Sequence, residues 1–299
     1  MHALLWVLLL AHVAGAIGKV ESDTHISLDE YPDPINAALY KADLHTVQAL
    51  IKRMDDPIIV SGDLPLIVDR KDIYGRTQLF NCGGELSAMS KVEIDMNCKV
   101  ILKLLAKKGA NVSHIDQYGD TPLSFAVSRG YYLFSEALLS LGSPVNVMDQ
   151  LGRSPLMKAA GYGFLDVFHL LYKKGADTSA RDENGLTALH YVTRLAIENK
   201  TYVHNLVNIS STAYLQQVDL IRDSHGRTAL MYAVLNKCES CVSALLQAGA
   251  DAQLVDDFNV SVVEMTEDQR VLEVLQESAI RKIEKEHLNW LKKVKPEEL

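Results

Sequence analysis

Cys238-Glu239-Ser240-Cys241 is the segment of this chain best spaced for covalent chemistry. A Cys-x-x-Cys pair can close into a disulfide, and near a helix N-terminus it can favour a thiolate. Thiol–disulfide exchange uses such a pair after a strand, in a βαβ setting. Here the pair lies between MYAVLNK and VSALLQAGAD, a context that favours a structural disulfide or packing thiols over exchange. The other two cysteines, Cys82 and Cys98, bracket the stretch GGELSAMSKVEIDMN. A bridge between them would close that stretch at its base and contribute about 3 kcal/mol in the chain-entropy model. No further ligands stand at metal-binding spacing, so no metal is expected. GxSxG, GxxxxGK[ST] and a GxGxxG after a strand are all absent, so no catalytic residue and no cofactor is assigned.

The elements that position these residues come from a repeated block. It opens with Asp-x-x-Gly-x-(Thr/Ser)-(Pro/Ala)-Leu at Asp116, Asp149, Asp182 and Asp223, with a variant at Asp72 and a worn copy at Asp256. Starts recur about every 33 residues, and two intervals carry insertions of about 11 and 8 residues. A period in this range signals a solenoid, in which each unit buries its apolar face on its neighbours. Gly at the fourth position supplies the backbone of a tight turn. The Thr or Ser that follows can cap a helix, and Pro122 and Pro155 suit its first turn. A second helix carries an apolar stripe such as Val167, Leu170 and Leu171, then ends at a Gly suited to a C-cap. Such an array presents a long surface, which points to binding.

These blocks resemble the ankyrin repeat family, on the pattern DxxGxTPLxxAxxxG followed by VxxLLxxGAD. The match is good over 72–255, with a weaker copy at 35–51. The resemblance implies an all-α repeat solenoid: stacked antiparallel helix pairs with β-hairpin fingers, about six to seven repeats, and a C-terminal capping helix. Residues 34–276 would form the solenoid, with insertions near 83–97 and 196–212, and 277–299 the capping helix and tail. His190, in TALHY, then takes a structural role tying finger to helix. The family's concave face would bind a protein partner of unspecified identity. By position it would use Tyr118, Asp120, Leu151, Arg153, Tyr162, Asn184, His225 and Arg227, types that include those enriched at hot spots. The chain carries a net charge of −8 and no long Lys/Arg run, which disfavours nucleic acid.

The compartment is read from the ends and the sequons. Residues 1–18, MHALLWVLLLAHVAGAIG, have an apolar stretch and small residues suited to cleavage, the makings of a secretory signal peptide; a buried N-terminal helix is the alternative. Residues 19–33 read as a polar lead-in, and no later stretch is long and apolar enough to span a membrane. Asn111, Asn199, Asn208 and Asn259 head Asn-x-Ser/Thr sequons. The final Pro-Glu-Glu-Leu resembles an endoplasmic reticulum retrieval signal, with Pro296 departing from it. The expectation is a secreted or endoplasmic-reticulum lumenal binding protein. The alternatives are a lumenal thiol–disulfide factor using Cys238 and Cys241, and a cytosolic adapter if the leader is not cleaved. The sequence sets no oligomeric state.

Overall fold

The computed structural model describes residues 38–39, 41–54, 71–83, 89–195 and 221–293. The leader, the lead-in, Asn199, Asn208, the insertion at 196–212 and the terminal Pro-Glu-Glu-Leu lie outside the described residues. The chain divides into two compact units, residues 1–111 and 112–299.

In the first unit, α1 (Leu44–Met54) packs against α2 (Lys91–Lys107), with a 3-10 turn at Gln78–Asn81 between them in sequence. Val47, Leu79, Phe80, Ile101, Leu102 and Leu105 form its core. Asn97 Nδ2 donates to the Ala42 carbonyl at 3.0 Å, which ties α2 to the turn before α1. Cys82 and Cys98 are joined in a disulfide with Cα atoms 5.7 Å apart. Cys98 lies in the middle of α2. The helix begins at Lys91 because Ser90 and Glu93 form a reciprocal capping box, with Ser90 Oγ accepting from Glu93 N. Residues 91–97 of the expected insertion are therefore helical.

The second unit is a stack of helix pairs. α3 (Pro122–Arg129) pairs with α4 (Tyr132–Ser140), α5 (Pro155–Tyr162) with α6 (Leu165–Lys173), and α8 (Ala229–Leu235) with α9 (Glu239–Gln247). The first helices continue from pair to pair: α3 on α5, α5 on α7 (Ala188–Leu195), α7 on α8. Thr121, Ser154 and Thr228 cap α3, α5 and α8, each hydroxyl accepting from the third helical N–H. Ala126, Ala159 and Ala233 are buried where first helices meet, and Leu123, Leu138, Leu156, Leu171, Leu230 and Leu245 fill the space between layers. A methyl-sized side chain at these contacts lets helix axes approach.

The last helix differs from its expected boundary. α10 (Gln269–Lys293) is one helix of 25 residues that runs across the expected boundary between 276 and 277. Asp268 precedes it, with Oδ1 accepting from Arg270 N at 3.1 Å. α10 packs against α9, and among its residues of described burial Val271 and Leu275 are the buried ones, while Ile280, Ile283 and Leu288 are exposed.

Candidate functional site

Six aspartates build the fingers. In the second finger, Asp116 Oδ1 accepts from Tyr118 N at 2.8 Å and from Asp120 N at 2.9 Å. The same two-fold acceptance recurs at Asp72, Asp149, Asp182, Asp223 and Asp256. A carboxylate satisfying two backbone donors in one turn is why Asp opens every block. The fingers are turns rather than strand ladders: among the described residues the one isolated bridge is Val255–Ser261.

In the second unit the fingers are tied to one another by backbone rungs. Gln150 N donates to Tyr118 O at 2.9 Å, Glu183 N to Leu151 O at 3.1 Å, Ser224 N to Asn184 O at 2.8 Å and Asp257 N to His225 O at 3.0 Å. The turn glycine lets the next finger come this close. Gly119 has φ +81°, and a Cβ there would lie 2.9 Å from Asp149 Cα.

The rungs place the residue two after each Asp in one row: Tyr118, Leu151, Asn184, His225 and Phe258. Tyr118, Leu151 and Phe258 are 41%, 44% and 67% exposed, respectively, and Asn184 and His225 are also exposed. The His225 ring stacks on Phe258 with centroids 6.4 Å apart. Phe258 was not among the expected contact residues. Its signal was its place two after Asp256, in a block whose worn opening hides the register.

The charged residues proposed for binding are partly occupied within the stack. Arg153 is held by Asp149, with Nε 2.9 Å from Oδ2. Arg227 Nε lies 3.5 Å from Asp256 Oδ2. Asp120 accepts from Ser124 Oγ at 2.7 Å and also pairs with Lys158. Tyr162, on α5, is 55% exposed and stacks on Phe164.

Lys158 was missed by sequence reasoning. Its ammonium is buried between Asp120 and Asp149, 2.9 Å from Asp149 Oδ2. Burial pushes the Asp149 carboxyl up, but Lys158 and the Arg153 backbone and guanidinium outweigh it and hold it below the usual carboxylate range. The position nine after the finger Asp serves the same oxygen elsewhere: Tyr191 OH donates to Asp182 Oδ2 at 2.9 Å, and Tyr232 OH to Asp223 Oδ2 at 2.7 Å. Burial and that bond push the Tyr232 hydroxyl up to about 12. Arg153, Lys158, Tyr162, Tyr191 and Arg194 line a hollow together.

The residues considered for chemistry are committed to structure. His190 is buried on α7. Thr187 N donates to its Nδ1 at 3.2 Å, which leaves the proton on Nε2, 3.3 Å from the Arg227 carbonyl. Burial holds its imidazole below the usual histidine range. Cys238 and Cys241 are joined and fully buried, with the Cys238 sulfur accepting from Cys241 N at 3.3 Å.

A family model described as ankyrin repeats (3 copies) matches residues 89–182, 133–219 and 156–256. The chain belongs to the ankyrin repeat family. The ankyrin repeat domain of Bcl-3, described as a unique member of the IkappaB protein family, is similar at 20% identity and a TM-score of 0.60, over 82% of this chain and 98% of that one. The human ASB11 ankyrin repeat domain is similar at 17% identity and a TM-score of 0.63, over 82% and 97%. No curated protein matches the sequence. At these identities the likeness to solved structures establishes the ankyrin fold alone, and membership of the ankyrin repeat family implies a protein-binding scaffold. Among the described residues no helix is long and apolar enough to cross a membrane.

Proposed function

We propose that this ankyrin-repeat chain is a non-catalytic scaffold of the secretory pathway that binds a protein partner on the face made by its finger tips and first helices. The observation that carries the reading is the row Tyr118, Leu151, Asn184, His225 and Phe258. Backbone rungs fix its spacing, so apolar and aromatic side chains stand exposed with little left to order on binding. Tyr162 and Arg194 extend the face onto α5 and α7. The leader and the sequons support the lumenal setting, secreted or retained in the endoplasmic reticulum.

The test uses the full-length chain secreted from eukaryotic cells with a photo-crosslinking residue at Leu151 or, as control, at Leu141, exposed at the C-terminal end of α4. The reading expects one partner cross-linked from Leu151 only, and lost in a Tyr118→Ala/Phe258→Ala variant with an unchanged melting temperature. Equal cross-linking from both positions would count against the face. Intact mass decides the compartment, which requires removal of the leader and mass loss on glycosidase treatment. A thiol–disulfide role fits the structure less well, because Cys238 and Cys241 are fully buried.

A further inference from the structure

Asn259 occupies the place that a glycine holds in the other five fingers. Its φ is +62°, a conformation that Asn tolerates better than other side-chain-bearing residues. At Gly119, Gly152 and Gly185 a side chain would meet the backbone of the following finger at 2.9 to 3.1 Å. The finger at Asp256 is the last of the described row, and there Asn259 is exposed. Its backbone N–H closes the turn on the Asp256 carbonyl at 2.9 Å, while its side-chain amide has no hydrogen-bond partner among the described residues. Asn259-Val260-Ser261 is a sequon.

We infer that Asn259 carries an N-linked glycan that terminates the finger row, filling the space where a further finger would stack. The inference rests on the lumenal reading above. The donor is a lipid-linked diphospho-oligosaccharide. The Asn259 amide nitrogen forms a bond to the anomeric carbon and loses a proton. The anomeric C–O bond to the diphosphate breaks, and the lipid diphosphate leaves. In the folded turn Val260 N donates to Asp256 Oδ1 at 3.0 Å and Ser261 Oγ to Glu264 at 2.6 Å, so transfer precedes closure of the finger. Once attached, the glycan projects from the open end beside Phe258 and bounds the face there.

Site-by-site glycan occupancy in the full-length chain from secreting cells tests this, together with Asn259→Gly. Glycine suits φ +62°, so the variant removes the acceptor and keeps the turn. The expected result is an occupied Asn259 and, in Asn259→Gly, loss of a single glycan with an unchanged melting temperature. A cleaved leader with Asn259 unmodified, or an Asn259→Gly chain with an unchanged glycan count, overturns the inference and leaves the lumenal reading standing. An intact leader with every sequon unmodified overturns both.

Discussion

At the scale of the residue, two buried side chains carry more of the fold than their abundance suggests. Lys158 neutralises Asp120 and Asp149 from a position where its own side chain is 5% exposed. Removing one partner of a buried pair strands the other, at a cost of about 3 kcal/mol or more. Lys158→Met is expected to lower stability by about that much in chemical denaturation, and Lys158→Met/Asp149→Asn to recover part of it. His190 sets a pH dependence. Its folded pKa lies below the ordinary histidine value, so the unfolded chain takes up this proton first as pH falls below about 6.5. The contribution is complete above that pH and declines beneath it. Protonation places a second N–H on Nδ1, against the Thr187 N–H that donates there. The denaturation midpoint should fall between about pH 7.5 and about pH 5.5, and the His190→Gln variant should show a shallower fall. An equal slope in the variant would assign the effect to other groups, the half-buried His169 among them.

At the scale of the element, the finger and the helix end use glycine for different reasons. Gly142 ends α4 with φ +87° and open space around a Cβ, whereas Gly119 has φ +81° and the next finger's backbone 2.9 Å away. Gly142→Ala should cost about 1 kcal/mol for the left-handed backbone alone. Gly119→Ala should cost about 2 kcal/mol more, because the neighbouring finger has to move. Equal melting temperatures for the two variants would mean that the rung between Gln150 and Tyr118 is easily displaced. The sequence made these fingers readable because Asp and Gly are each demanded by a local bond or dihedral. It was less clear at α2, whose Ser90–Glu93 box sits inside a polar stretch that reads as an insertion. The unbroken α10 follows from a run without Gly or Pro, a stop signal that the expected boundary at Glu277 lacks. Lys158 was hidden because the position nine after the finger Asp changes type, a lysine after Asp149 but Tyr191 and Tyr232 after Asp182 and Asp223, and because its second partner Asp120 is 38 residues away.

At the scale of the whole molecule, the two units should differ in what sustains them. Among its described residues the first rests on the packing of α1 against α2 and on a disulfide closing a separation of 16 residues, worth about 3 kcal/mol in the chain-entropy model. Cys82→Ala/Cys98→Ala removes the bridge, and alanine suits position 82, which other repeats fill with Ala126, Ala159 and Ala233. Hydrogen exchange should then quicken in α1 and α2 while the amides of α3 to α6 keep their protection. Uniform loss across both sets would show that the units unfold as one. The rungs of the second unit have a different consequence. Each joins one backbone N–H to one backbone carbonyl, so the side chain two after each Asp takes no part in it. Those positions can diversify under selection without a toll on folding. A library randomised at 118, 151, 184, 225 and 258 should keep its cooperative melt in most members, making the row a template from which new specificities can be drawn.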